Sequence, residues 1–358
     1  MDYGLAIDIG TTNIKMVRVD RKTGAVLEEY QVKNSQKKFG KDVLSRIRHA
    51  CCGELETLTA LVRQDILEGR KALQITEPVP VAIACNTTMM ALLCGDSVEE
   101  MQDFPFTPYR LVIPEQEDVR IAPAAGAFIG GDVVAGLSVL PKEASSFLFI
   151  DLGTNGEMVL YGPKHILAVS AAAGPAFEYM VDASGSMLLQ VLKEAYEAGL
   201  VDATGLLAEA WFESGYLWKS KDGAQEFLLT QQKIRDLQLA KAAIRTGVDY
   251  LIETYQNMTG TCFVPERVYL AGGMGVVSED ASLCVGMLPE EFRGKCRFLG
   301  NTALQGAVKL LLRPECFAEM QELAGQIEVH NLAAWNAFNE KFIEHINFPA
   351  IGMKKSLE

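Results

Sequence analysis

Two stretches of the chain place an aspartate, a glycine and short hydroxyl or amide side chains in the same order. The first is Asp8-Ile9-Gly10-Thr11-Thr12-Asn13 and the second is Asp151-Leu152-Gly153-Thr154-Asn155-Gly156-Glu157. An aspartate that ends a buried strand carries its carboxylate to the mouth of a hairpin, where it can hold a hydrated divalent cation. The glycine allows a tight tip and lets backbone amides approach an oxyanion. Thr11, Thr12, Asn13, Thr154 and Asn155 add short donors for phosphate oxygens. Lys15 adds a positive charge whose direction strand alternation leaves open. One such turn alone reads equally well as an ordinary hairpin with a polar tip. Two that face each other would grip a polyphosphate and its metal from both sides, with Asp8 and Asp151 as metal carboxylates. In a third stretch, Val268 to Gly275, an apolar strand opens into Gly272, Gly273 and Gly275. Backbone stripped of side chains there can lie flat against a base and ribose. The expected ligand is ATP with Mg2+.

The elements that must position these residues follow from periodicity and breakers. Tyr3–Asp20 and Ser146–Gly162 each read as strand, glycine-rich tip, strand, an internal repeat that suggests duplicated domains. In the first half, Ala25–Val32 reads as a third strand, Asp42–Ala50 and Glu54–Glu68 as helices, and Val79–Ala84 as a short strand. Thr87–Leu93 and Ala124–Leu140 look helical in part. The prolines between Phe104 and Pro123 predict irregular or extended chain. In the second half, Gly185–Ala198, Thr230–Tyr255 (with Thr230 as its cap), Gly306–Leu312 and Ala334–Ile346 read as helices. Arg267–Ala271 reads as a strand and Ile327–Leu332 as a short alternating piece. Strands and helices in both halves make the class α/β.

Composition bounds the function. A chain of 358 residues that is 49% hydrophobic can build two domains with their own cores. The 33 basic and 46 acidic residues leave a net charge of −13, which argues against a nucleic-acid partner. No run approaches the roughly 18 apolar residues of a membrane span, and the N-terminus lacks a signal-peptide pattern, so no membrane partner is expected and the location expected is cytoplasmic. The eight cysteines include no Cys-x-x-Cys pair, so they read as reduced thiols, with the vicinal Cys51 and Cys52 the least suited to burial. His49, His165, His330 and His345 show no ligand spacing, and Trp211, Trp218 and Trp335 read as packing anchors. A homodimer is compatible with this composition.

The order hairpin, hairpin, strand-Gly-Gly resembles the actin, sugar-kinase and heat-shock-chaperone ATPase superfamily over essentially the whole chain. The resemblance implies two ribonuclease-H-like (actin-like ATPase) domains with a nucleotide cleft between them. Residues 1–142 would form the lobe of the first phosphate hairpin. Residues 143–358 would carry the second hairpin and the adenosine-binding glycine segment. It also implies a role for Asp132 in Ile129-Gly130-Gly131-Asp132. Sugar kinases such as the glycerol kinases place a catalytic aspartate in a similar segment ahead of their second phosphate hairpin. Asp132 is therefore the candidate general base beside Asp8 and Asp151; the bland alternative is a helix cap.

A narrower resemblance rests on ordered segments: Asn34–Ile47 (NSQKKFGKDVLSRI), Asn86–Gly95 (NTTMMALLCG), IDLGTNGEMVL, Ser170–Glu178 (SAAAGPAFE), Ile234–Gly247 (IRDLQLAKAAIRTG), AGGMG and Gly300–Ala307 (GNTALQGA). Together they resemble the C-terminal ATPase domain of reductive activators of corrinoid proteins, which couple ATP hydrolysis to uphill electron transfer onto cobalamin. ATP binding would close the cleft and hydrolysis reopen it, remodelling a corrinoid protein. The family's ferredoxin-like domain with its [2Fe–2S] cluster has no counterpart in these segments. No iron–sulfur cluster is expected in this chain, and a separate ferredoxin or flavodoxin would supply electrons. The stretch after GPAFE is shorter than the family pattern. Cys85 stands where the family tends to have Gly, and Ala91 where it tends to have His. Rival expectations are a small-molecule, sugar-like kinase and a nucleotide sensor or assembly scaffold without turnover.

Overall fold

The computed structural model describes residues 2–114, 118–141, 143–174, 187–272 and 279–349. In chain order the regular elements begin with β1 (Tyr3–Ile9), β2 (Asn13–Asp20), β3 (Val26–Lys33), α1 (Val43–His49), α2 (Leu55–Ala72), β4 (Val81–Cys85), α3 (Thr87–Cys94), β5 (Val119–Ile121) and α4 (Gly131–Ser138). They continue with β6 (Phe147–Leu152), β7 (Asn155–Tyr161), β8 (Ile166–Ala172), α5 (Met187–Glu197), β9 (Tyr216–Lys219), β10 (Glu226–Leu229), α6 (Gln231–Thr259), β11 (Arg267–Ala271) and α7 (Glu279–Cys284). The last are β12 (Cys296–Phe298), α8 (Thr302–Leu312), α9 (Cys316–Gln326), β13 (Ile327–Val329) and α10 (Phe338–Glu344). The chain divides into two compact units. One holds Met1–Glu143, His165–Ala168 and Asn301–Val329; the other holds Ala144–Lys164, Val169–Gly300 and His330–Glu358.

In the first unit the strands run β3-β2-β1-β4-β5. β1 is antiparallel to β2 and parallel to β4. Leu5, Ile7 and Ile9 alternate with smaller residues along β1, and all three are fully buried with Ile14, Met16, Leu58 and Val62. That core fixes the height at which β1 ends and Asp8 emerges. Asp42 caps α1 through the Ser45 amide. A π-helical turn over Ala50–Glu54, broken by Gly53 at φ 95°, joins α1 to α2. It leaves Cys51 half-buried and Cys52 exposed, both as free thiols. The proline-rich stretch, expected to be irregular or extended, includes one paired segment, Val119–Ile121, which joins β4 as the edge strand β5. A short edge strand tolerates the flanking prolines.

The chain returns to this unit after Gly300. α8 packs on α4, and a Cβ at Gly306 would lie 2.3 Å from the Ala135 carbonyl. Only glycine permits that helix-to-helix approach. Asn301 caps α8 through the Leu304 amide, so the helix starts at Thr302, ahead of the expected Gly306. α9 follows, and β13 pairs parallel with the first residues of β8.

In the second unit the strands run β12-β11-β6-β7-β8. α6 covers β7, with Gly247 against Met158 and Gly156 against Ile244. Thr230 caps α6 through the Lys233 amide, as expected, and Gly260 ends it in the left-handed region. β9 and β10 form a separate hairpin. The tail helix is shorter than expected, because a separate turn at Leu332–Ala334, capped by Asn331, precedes it and Trp335 packs on Tyr250 before α10 begins. Residues 345–349 run along α6. Lys241 donates to the carbonyls of His345 and Asn347, both at 2.5 Å, and Gln238 donates to that of Ile346.

Candidate functional site

The first glycine-rich tip closes with the Gly10 amide donating to the Asn13 carbonyl at 2.9 Å. Its carbonyls are held from behind. Asn34 donates from its side chain to the Gly10 carbonyl at 3.0 Å and from its backbone to that of Thr12. Arg46 is fully buried and donates to the Thr11 carbonyl, to Gln36 Oε1 and to the Gly40 carbonyl. Asn86 caps α3 and also donates to Thr11 Oγ1 at 3.2 Å. With the negative ends of the tip's dipoles covered and a guanidinium beneath it, the tip is prepared for an anion.

Lys15 lies opposite Asp8 in the β1–β2 register. Its ammonium turns to Glu29 on β3 at 2.9 Å. It still weakly favours the ionised form of Asp8. Its charge is thus shared, not aimed wholly at the tip.

Asp8 and Asp132 gather in this unit. Asp8 is partly buried and accepts a hydrogen bond from Asn301 Nδ2 at 2.7 Å. Burial pushes its carboxyl up to about 6, against the opposing effects of Asn301 and Lys15. Asp132 sits in the first turn of α4, whose cap position is Gly130, not Asp132. Its Oδ1 accepts the Val133 amide at 2.8 Å. Burial, reinforced by the charge of Asp8, raises Asp132 to about 7. One carboxylate with a hard-oxygen face beside another poised near neutrality suits a hydrated divalent cation and a proton acceptor. The local amide bond of Asp132 does not use its second oxygen.

The second unit repeats the tip in shorter form. The Gly153 amide donates to the Asn155 carbonyl at 2.9 Å. Asp151, Thr154 and Asn155 are partly exposed and Gly156 is buried. Asp151 lies opposite Glu157 across β6 and β7 and beside Ala271 of β11. Gly272 therefore follows directly at the second tip. Its φ is 128°, and a Cβ there would lie 2.2 Å from the Leu152 carbonyl. Gly273 and Gly275 lie outside the described residues. A phosphate-and-metal group fits this donor set of carboxylate, hydroxyl and amide in the same way as the first.

Three positioning residues escaped the reading by residue type. Arg46, Asn86 and Asn301 all lie inside segments that carried the family resemblance, but an arginine in a helix and asparagines at helix starts have ordinary structural explanations. What marks them is contact with the tip or with Asp8. Among the described residues no three metal-ligating side chains gather in one place, and no helix is long and apolar enough to cross a membrane.

Comparisons with known proteins agree on one group. Residues 3–141 match the family described as the RACo middle region, and residues 145–181 and 180–357 match the C-terminal domain of RACo, the ASKHA domain. The corrinoid activation enzyme RamQ of Eubacterium limosum is 27% identical over 87% of this chain and 65% of its own length. The [Co(II) methylated amine-specific corrinoid protein] reductase of Methanosarcina barkeri is 23% identical over 98% of this chain and 78% of its own. A solved reductive activator for a corrinoid, iron-sulfur protein superposes with a TM-score of 0.83 at 27% identity, covering 97% of this chain and 66% of that one. The chain thus spans about two thirds of the activation enzyme and of the solved activator.

Proposed function

The chain belongs to the RACo family, through both its middle region and its C-terminal ASKHA domain, and from that membership we propose that it hydrolyses ATP with Mg2+ to activate a corrinoid protein. The observation that carries this reading is the pair Asp8 and Asp132 beside the braced Gly10–Asn13 tip. In the proposal Asp8 and Asp151 hold the metal. Thr11, Thr12, Asn13, Thr154 and Asn155 receive phosphate oxygens. Asp132 takes the proton of the attacking water. Bound magnesium supplies charge neutralisation at the phosphate oxygens. The assignment of both hairpins to one nucleotide rests on their sequence repetition and on the family fold.

The corrinoid partner is proposed from the relatives' names. The test is phosphate release from ATP with and without a Co(II) corrinoid protein, together with formation of Co(I) when an external one-electron donor such as titanium(III) citrate is present. ATP-dependent Co(I) formation supports the reading. Stoichiometric phosphorylation of a small metabolite, with no effect of any corrinoid protein, would replace it with the kinase reading. Asp8→Ala and Asp151→Ala are each expected to abolish magnesium-dependent nucleotide binding in a folded chain.

A further inference from the structure

A cavity of about 560 Å³ opens in the first unit beside β4 and β5, away from Gly10. Its walls are apolar: Ile83 of β4, Ile121 of β5 and Ile113 are each more than nine-tenths buried within their own packing yet border the space. Cys94, at the end of α3, also lines it, and burial raises its thiol, so the sulfur contributes an apolar, uncharged surface.

Two cations stand at this apolar space, and they differ. Arg110 is paired with Asp96 through both Nε at 2.7 Å and Nη2 at 2.5 Å, so its charge is already answered. Arg63 is not answered in that way. Its Nε donates to the Leu93 carbonyl at 3.0 Å and its Nη2 to the Cys94 carbonyl at 3.3 Å. These two bonds fix the guanidinium at the C-terminal end of α3. Among the described residues no carboxylate forms an ion pair with it. A planar guanidinium held by two bonds keeps further N–H groups for a carboxylate, and charge-assisted bonds of that kind are the stronger sort.

We infer that this cavity is a binding site for a small apolar carboxylate, its chain among Ile83, Ile113 and Ile121 and its charged end on Arg63. The volume lies in the range of small-molecule sites. The composition, apolar walls beside a fixed guanidinium that has no ion pair among the described residues, selects against neutral chains, which leave that charge without a carboxylate, and against small inorganic anions, which leave the apolar walls uncovered. The site is separate from the residues assigned to ATP, so it stands or falls without that assignment.

The test is calorimetric titration of the full chain with octanoate, octanamide and inorganic phosphate. Octanoate is expected to bind saturably, about tenfold or more tighter than octanamide, with no binding of phosphate. Arg63→Met should remove the preference for octanoate and leave octanamide binding as it was. Ile121→Trp fills the cavity with Arg63 in place and should abolish binding of both chains. If Arg63→Met does not fold, the octanoate–octanamide ratio and Ile121→Trp decide the matter. Absence of saturable octanoate binding at millimolar concentration overturns the inference, and so do equal affinities for the two chains or unchanged binding in Ile121→Trp.

Discussion

Asn301 donates its side-chain amide to the Asp8 carboxylate at 2.7 Å, although 293 positions separate the two in the chain. The same side chain accepts the Leu304 amide and caps α8. One residue thus starts the helix that packs on α4 and restrains the carboxylate at the end of β1. Asn301→Ala removes a cap, which costs about 1 kcal/mol, and a bond that holds the Asp8 carboxyl down. With Asp8 already near 6, loss of that bond leaves more of it protonated in mildly acidic solution. Magnesium–nucleotide affinity is expected to fall about tenfold at a pH just above the Asp8 value and much less in alkaline solution. Titrations at the two pH values check this, and an equal loss at both would separate Asn301 from the ionisation of Asp8.

Arg46 leads to a second prediction. Its side chain is fully buried, and three acceptors (the Thr11 and Gly40 carbonyls and Gln36 Oε1) depend on it. Arg46→Met keeps the volume but leaves those acceptors without their donor. Each orphaned buried acceptor costs about 1–3 kcal/mol, so urea unfolding should show a loss of about 3 kcal/mol or more. Nucleotide binding should weaken even where the variant remains folded, because the tip loses both its brace and the charge beneath it. Arg46→Lys, a point charge without the planar fork, should recover less than half of the stability lost.

These two residues mark the limit of what was legible. Asp8, Gly10, Asp151 and Gly272 stood out because a repeated order of carboxylate, glycine and short donors is rare by chance and local in the chain. The hairpins, α6 with its Thr230 cap, and β11 were readable for the same local reasons. The return of residues 301–329 to the first unit is a long-range contact with no periodic signature. Asn301 therefore looked like any asparagine before a helix. The prolines left β5 legible only as irregular or extended chain, without its bounds or its pairing with β4, since a strand of three residues at a sheet edge needs no long β-forming run. Arg46 was hidden by its type, because an arginine on an amphipathic helix ordinarily faces water.

Lys241 sets the pH dependence of stability in the second unit. It is 1% exposed, its Nζ donates to the His345 and Asn347 carbonyls, and the Phe348 ring lies 5.2 Å away. Burial, with a contribution from Arg245, lowers it from 10.5 to about 7. A neutral amine has two N–H groups, which match the two carbonyls. Between about 7 and 10.5 the unfolded chain binds this proton and the folded chain does not, so stability rises with pH across that window. The rise from this group should be about 2–3 kcal/mol between pH 7 and 9. Urea unfolding at the two pH values should show it in the native chain, with a clearly smaller rise in Lys241→Met. Equal rises in both proteins would show that Lys241 keeps its proton in the fold.

Asp132 allows the proposed chemistry to be tested by two measurements that do not depend on each other. Its carboxyl is raised to about 7 by burial and by the charge of Asp8. The base form therefore grows as pH rises through about 7, and ATP turnover in the native chain should climb over that interval. Asp132→Asn should spare magnesium–nucleotide binding, lower turnover about 100-fold and flatten the climb. The stability sign is opposite. The folded chain keeps this proton up to about 7, while an unfolded aspartate releases it near 3.8, so stability falls as pH rises across that window. Asparagine cannot ionise, so Asp132→Asn should melt at a higher temperature than the native chain in alkaline solution, and the difference should shrink towards the acid end. A variant that gains stability but hydrolyses ATP at the native rate would leave Asp132 as a partly buried carboxyl with no part in the proton transfer.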